Sequence, residues 1–217
     1  MNAKEIIERF SGTLTDGKTK IIILPNFVVK LFPRSKDINP EVDALTTIRS
    51  NNIVKLLYFQ KHSPAAIVYA HVYPLKEIIN PTRDELVKQI RNVATALYDI
   101  HSAGYTHGDV AIGNIGMNKD KEYVLYDFED VKRDTSSEGR YKDVEMFLED
   151  FIYQYRNHLD LQAEIKHLLK ELQIRHRKGS VIRKRMPTGK TREMNVFSYR
   201  YDSRDFRVIV GLNLKNF

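Results

Sequence analysis

Apolar residues along this chain recur with two different periods, and the switches between them mark out its elements. Ala3–Phe10 places Ile6, Ile7 and Phe10 on one helical face, as a short amphipathic helix or as the lead-in to the first strand. Thr13–Thr15, Thr19–Leu24 and Phe27–Phe32 read as three antiparallel strands, with turn signals at Asp16-Gly17 and Pro25-Asn26. Pro40–Ser50 reads as a helix, with proline in the first turn where its missing N–H is tolerated. Asn52–Phe59 and Ala65–Tyr69 add two strands, which predicts a five-stranded antiparallel sheet in all. Pro81–Ala103 carries the strongest helical pattern: Leu86, Ile90, Val93, Leu97 and Ile100 repeat at three and four residues, and Gly104 is the stop. Glu122–Tyr126 is a short strand. Tyr141–Tyr155 is a helix with Val144, Phe147, Leu148, Phe151 and Ile152 inward, and Leu159–Leu172 is a closing amphipathic helix. At the end, Phe206, Val208, Val210, Leu212 and Leu214 alternate strictly, which predicts a half-buried strand, with Val196–Tyr201 pairing across Asp202–Arg204. That strand joins the protein's own sheet or a second copy, as a homodimer.

Composition narrows the class. The 217 residues are 42% hydrophobic, enough for a sizeable core in a single domain or a two-lobed one. No apolar run approaches the ~18 residues of a membrane span, and no basic-then-apolar leader is present, so no membrane partner is expected. Cysteine is absent, which excludes disulfides and thiolate metal sites and fits a cytoplasmic location, the host cytosol if the chain is viral or an effector. The net charge of +7 favours anionic partners. Much of that charge is concentrated in residues 175–192, where Arg175, Arg177, Lys178, Arg183, Lys184, Arg185, Lys190 and Arg192 occur with no acidic residue between them. Such a run either grips nucleic acid or an acidic protein, or is a solvated linker with a basic bias.

Candidate chemistry is densest in Tyr105–Asp130. It holds a His107-Gly108-Asp109 triplet, Asn114 and an Asp127-Phe128-Glu129 triplet. Asp109 is a carboxylate suited to orienting a hydroxyl. Asn114 and Asp127 offer the hard oxygen ligands that Mg²⁺ takes together with substrate phosphates. A second phosphate-type pattern is a decoy: Gly12–Thr19 matches G-x-x-x-x-G-K-T, yet the β-branched run Ile21-Ile22-Ile23 follows where that loop requires a helix.

The spacing of Asp109, Asn114 and Asp127 resembles the catalytic loop and metal triplet of protein kinases, H-R-D-x-x-x-x-N and D-F-G. The resemblance covers residues 12–178. Val28-Val29-Lys30 is similar to the family's V-A-I-K strand. Glu41 opens a helix ahead of Asn52-Ile53-Val54-Lys55-Leu56, which is similar to H-P-N-I-V-x-L. By this resemblance Lys30 contacts the α- and β-phosphates of ATP with Glu41 as its partner (Asp43 as the substitute). The turn at Gly17-Lys18 covers the phosphates. Ala70 and Val72 line the adenine site with Tyr69 behind. Asp109 is the catalytic base, and Asn114 and Asp127 hold Mg²⁺. His101 and His107 are read as structural, and Asp143 as a brace for the catalytic loop.

The implied architecture is α+β and bilobal: a five-stranded N-lobe over residues 1–73, a reduced, mostly helical C-lobe over 74–178, and a basic linker with a C-terminal β extension over 179–217. The chain departs from the family in three ways. It lacks G-x-G-x-x-G, carries Glu129 in place of the third residue of D-F-G, and lacks an activation segment between Asp130 and the helix at Tyr141. These departures resemble the RIO kinases, the small kinase of the KEOPS complex and miniature bacterial or viral kinases. The implied activity is ATP- and Mg²⁺-dependent phosphorylation of serine or threonine on a protein substrate. The alternatives are a small-molecule kinase of the aminoglycoside or choline type, and a pseudokinase scaffold that binds protein or nucleic acid through its basic tail.

Overall fold

The structure, a computed structural model, describes residues 3–11, 18–33, 36–62, 64–75, 81–155, 175–185, 191–201 and 204–210. The class is α+β with antiparallel sheets.

The chain opens with helix α1 (Ala3–Ser11), followed by β1 (Lys20–Ile23), β2 (Phe27–Phe32), helix α2 (Asn39–Thr47), β3 (Leu56–Gln60) and β4 (Ala65–Ala70). Among the described residues the sheet has four strands in the order β1-β2-β4-β3, where five are expected from the sequence. The expected first strand, Thr13–Thr15, lies outside the described residues, as does Gly17. Antiparallel register sorts the strands into two faces. Val29, Leu31, Ala66 and Val68 pack beneath Ile6 and Ile7 of α1, with Ile22, Leu24 and Phe27 at the margin. Ile21, Ile23, Val28, Lys30, Ile67 and Tyr69 are paired across the strands and occupy the other face. The N-terminal segment is therefore a helix and the cover of the sheet, not the lead-in to a strand.

The expected strand Asn52–Phe59 begins only at Leu56. The residues before it are drawn elsewhere. Ile53 forms a parallel bridge with Leu125, and the Asn52 carbonyl and Val54 N–H both bond the Leu125 backbone. This seam joins the first half of the chain to the second.

The second half contains β5 (Tyr73–Pro74), helix α3 (Arg83–Ser102), β6 (Tyr105–Thr106), β7 (Ile115–Met117), β8 (Tyr123–Leu125), β9 (Lys132–Arg133) and helix α4 (Ser137–Gln154). Helix α3 starts at a capping box: the Thr82 side chain accepts from the Glu85 N–H, and the Glu85 carboxylate accepts from the Thr82 N–H. It buries Leu86, Ile90, Val93, Leu97 and Ile100, as their spacing predicts. It stops at Gly104, whose φ of +83° is the left-handed value that favours glycine. Helix α4 starts four residues earlier than the apolar pattern indicates because the Ser136 hydroxyl caps it, accepting from the Gly139 N–H. It buries Val144, Phe147, Leu148 and Phe151. Two small sheets, β5-β7-β8 and β6-β9, lie among the helices, so this half is less purely helical than expected.

The closing helix expected at Leu159–Leu172 lies outside the described residues, as do the side chains of Phe10 and Ile152. The basic run is not a linker. It enters β10 (Arg175–Arg185), which pairs with β11 (Thr191–Tyr201), and β11 pairs with β12 (Arg204–Val210) in a three-stranded antiparallel sheet. β12 thus pairs with β11 of its own chain, while Asp202, Ser203, Leu212 and Leu214 of the expected hairpin lie outside the described residues.

Candidate active site

Lys30 is the centre of the site. Alternation along β2 puts Val29 and Leu31 under α1 and turns Lys30 to the opposite face, where its side chain is 6% exposed. Buried lysine is rare unless it is paired. Here three carboxylates share one ammonium: Asp127 Oδ1 at 2.5 Å, Glu129 Oε2 at 3.2 Å and Glu41 Oε1 at 3.7 Å. Burial works against the Lys30 charge, but Glu41, Asp127 and Glu129 outweigh it and raise its pKa. Glu41 shows the other side of the same crowding. Burial raises its pKa, and Lys30 and the Tyr69 hydroxyl, which donates to Glu41 Oε1, offset this only in part. It is both the most distant and the most buried of the three, hence the least compensated. Burial and the Glu41 charge in turn push the Tyr69 phenol well above its ordinary value.

Asp127 presents its carboxylate from a strained backbone, with φ +65° and ψ 69°. Asp is one of the few residues that tolerates this left-handed geometry. The turn follows β8 closely, so the strand delivers Asp127 at its end, and the 3₁₀ turn Phe128–Asp130 carries Glu129 back over Lys30. Under the resemblance to D-F-G, Glu129 is only the residue that stands where glycine is expected. In the structure it also pairs with Lys36 at 2.7 Å, and the hydrogen bond from Lys36, with help from Lys30, lowers its pKa. An acid one residue beyond Asp-Phe is the available sequence signal; nothing in the spacing says that it folds back.

Asp109 and Asn114 form the second cluster. Asn114 Nδ2 donates to the Asp109 carbonyl at 3.0 Å and to its Oδ2 at 2.7 Å, which fixes the carboxylate and leaves the amide oxygen as an acceptor. The Tyr126 N–H donates to the Asn114 carbonyl, so Asn114 lies beside the strand end that presents Asp127. The loop around Asp109 hangs from α4. Asp143 is buried and accepts from the His107 N–H at 2.8 Å and the Gly108 N–H at 2.9 Å, with His101 Nε2 2.9 Å away. Two helical turns further on, Asp150 accepts from the Ile112 N–H at 2.6 Å. Sequence reasoning misses Asp150, although its seven-residue spacing from Asp143 puts both on one helix face. His107 is fully buried and packs edge-on against Phe128, with ring centroids 4.6 Å apart. Burial lowers its pKa despite the nearby Asp143, Asp109 and Tyr126 backbone. Both histidines serve the scaffold of the loop.

Asp43 does not substitute for Glu41. It faces away from Lys30, accepting from the Tyr105 hydroxyl at 2.7 Å and from Arg133 Nη2 at 2.9 Å, while the guanidinium lies 5.1 Å from the Tyr105 ring centroid. This clasp ties α2 to β6 and β9.

Of the remaining expected residues, Lys18 lies just before β1. Ala70 and Val72 lie on the segment joining the two halves. The Ala70 N–H is committed to the Lys55 carbonyl and the His71 N–H to the Asn26 carbonyl. Val72 presses on Gly116 so closely that a Cβ there would collide with its methyl. Ile21 and Ile23 are 57% and 68% exposed on the Lys30 side of the sheet, an apolar surface to which the sequence pattern assigns no role. A cavity of about 1080 Å³ is lined by Ile48–Leu56, by Ala70–Tyr73, which include the expected adenine-site residues Ala70 and Val72, and by the β7–β8 turn. It contains none of Lys30, Asp109, Asn114 or Asp127, and the charged cluster, not this cavity, carries the candidate chemistry.

The donor set suits a hard cation: one amide oxygen and one carboxylate from neighbouring strand ends, the number that Mg²⁺ takes from protein when phosphates supply further ligands. Among the described residues no group of three or more His, Cys, Asp or Glu gathers to hold a metal alone. No helix among them is long and apolar enough to cross a membrane. No protein-family model matches the chain, and no curated protein matches it.

Proposed function

We propose that the protein is an ATP- and Mg²⁺-dependent phosphotransferase of two-lobed, protein-kinase-like architecture, acting on a serine or threonine hydroxyl. The observation that carries this reading is the convergence of Lys30, Glu41 and Asp127, which are far apart in sequence, beside an Asp109 held by Asn114.

In this reading Ile21 and Ile23 form an apolar roof for the base. Base hydrogen bonding falls to the backbone at Val72, since the Ala70 and His71 amides are taken and Tyr73 pairs with Met117 between β5 and β7. Lys30 exchanges its contacts with Asp127 and Glu129 for the α- and β-phosphates, and Glu41 keeps the ammonium in place. Asn114 and Asp127 would hold Mg²⁺, which supplies charge neutralisation on the phosphates. Asp109 accepts a hydrogen bond from the acceptor hydroxyl and takes its proton. The hydroxyl oxygen bonds to the γ-phosphorus as the bond to the bridging oxygen breaks, and ADP leaves. Positioning and electrostatic stabilisation account for most of the rate.

Purified protein with labelled ATP and Mg²⁺ tests this. Asp109→Ala and Asp127→Ala should each lower autophosphorylation or ATP turnover by roughly a hundredfold or more. Full turnover in both variants would refute it. A second reading, a small-molecule acceptor, draws support from the short stretch Val131–Ser136 between the Asp-Phe-Glu turn and α4, which leaves little platform for a peptide. Label that appears on a sugar, an aminoglycoside or choline, and never on protein, would select it.

A further inference from the structure

We propose that the C-terminal sheet is a nucleic-acid-binding surface that grips a sugar-phosphate backbone with one of its two faces. This stands independently of the phosphotransferase reading.

Register sorts the charges. Cross-strand partners in an antiparallel sheet share a face. Along β11, Arg200 pairs with Arg175 and Asp205, Ser198 with Arg177 and Arg207, and Arg192 with Lys184. One face therefore carries six basic residues and a single acid, with Ile182, Met194, Val196 and Ile209 between the two basic ends. The alternate positions hold fewer bases: Arg183 pairs with Glu193, Arg185 with Thr191 and Arg204 with Tyr201, around a centre where Tyr199 pairs with Phe206, Phe197 with Val208, and Asn195 with Val181 and Val210.

A bulge produces this sorting. Between Arg177 and Ser180 the register shifts by one residue, across Lys178-Gly179, and glycine is a residue type common at such sites. Without the shift, Arg183 and Arg185 would share a face with Arg175 and Arg177. With it, Lys184 does, opposite Arg192, which shares the face of Arg200 by alternation along β11 alone. Arg200 and Arg207 lie beyond the basic run visible in the sequence, and pairing alone brings them to the same face.

Size and spacing decide the ligand. From Arg200 to Arg192 is eight residues along β11, about 27 Å at ~3.4 Å per residue. A single phosphate cannot engage both ends. A polymer with charge at regular intervals can, and nucleic acid has that property.

The test uses the full chain and fluorescence anisotropy, with a labelled 30-nucleotide single-stranded RNA and a duplex DNA of equal length as probes. Engagement of all six basic residues gives a salt slope for single strands of about −4, from about −0.7 per phosphate. Arg200→Gln/Arg207→Gln and Lys184→Gln should weaken binding severalfold and flatten the single-strand slope by about 0.7 per residue. Arg185→Gln and Arg204→Gln, on the opposite face, should stay within about twofold of wild type. Stronger binding to one probe identifies the source of the backbone. Equal loss from both sets of variants overturns the face assignment. Absence of salt-dependent binding to either probe, or binding confined to phosphatidylserine vesicles or an acidic protein, overturns the proposal. Unchanged ATP turnover in the weakened variants separates this site from the catalytic one.

Discussion

At the residue scale, the site depends on a few side chains placed where chains normally avoid them. Lys30 is buried among carboxylates, Asp127 has a left-handed backbone, and Gly108 has φ +85° with the Asp130 carbonyl 2.6 Å from where a Cβ would stand. Each departure is tolerable because its neighbours fix it, which is how local strain persists at functional sites. His107 makes such a dependence measurable. Its folded pKa lies below the ordinary 6.5 because burial disfavours the imidazolium. The unfolded chain therefore takes up more protons as pH falls below about 6.5, and stability falls in that direction. Thermal melts from pH 8 to 5 should show the midpoint dropping below about pH 6.5, with a shallower drop in His107→Gln. Identical profiles for the two proteins would show that His107 does not titrate in this way. The pattern Asp109, Asn114, Asp127 is legible from spacing, because the residues that fix one another there are close in sequence. Glu129 and Lys36 are not legible, since their pairing depends on a turn and a loop that meet only in space.

At the element scale, α2 is held by two sets of charges. Glu41 on its inner side meets Lys30, and Asp43 meets Arg133 and Tyr105 on the outside. Arg133 comes from the short stretch after the Asp-Phe-Glu turn, so that stretch also clamps the helix. Exposed ion pairs are weak singly, but a forked guanidinium stacked on an aromatic ring is the stronger geometry, and lysine cannot reproduce it. Asp43→Arg and Arg133→Asp should each reduce the proposed phosphotransfer severalfold, and the double exchange should recover much of the loss. Simple additivity of the two losses would show that the pair is not coupled. Helix α3 is readable from sequence almost to the residue, because its apolar stripe, capping box and terminal glycine agree. The start of α4 is not: Ser136 is the cap, and its hydroxyl is hidden in a polar run without periodicity.

Across the molecule as a whole, the two halves share one large apolar cluster that runs from Phe32 and Val42 through Leu97 to Phe147 and Phe151. The Asn52–Val54 seam fastens β8 to the first half, and Asn52 Nδ2 adds a bond to the Tyr123 carbonyl at 3.1 Å. A shared core and a backbone seam make the halves unfold together. Calorimetry on the full chain should show a single transition for residues 3–155, and ATP with Mg²⁺ should raise it as one unit. Two resolved transitions, with only one moved by nucleotide, would contradict this.

Periodicity, caps and short spacings act over a few residues, and they suffice to establish the α+β class, the principal helices and the local chemical pattern from the amino-acid order. They also place Lys30 on a strand and Glu41 on a helix. Three-dimensional packing, in contrast, brings those two residues to Asp127, turns Asp43 outward, and makes the basic run a strand whose bulge selects which arginines share a face. Those outcomes depend on register and on contacts between distant segments, and neither is written in the neighbourhood of any one residue.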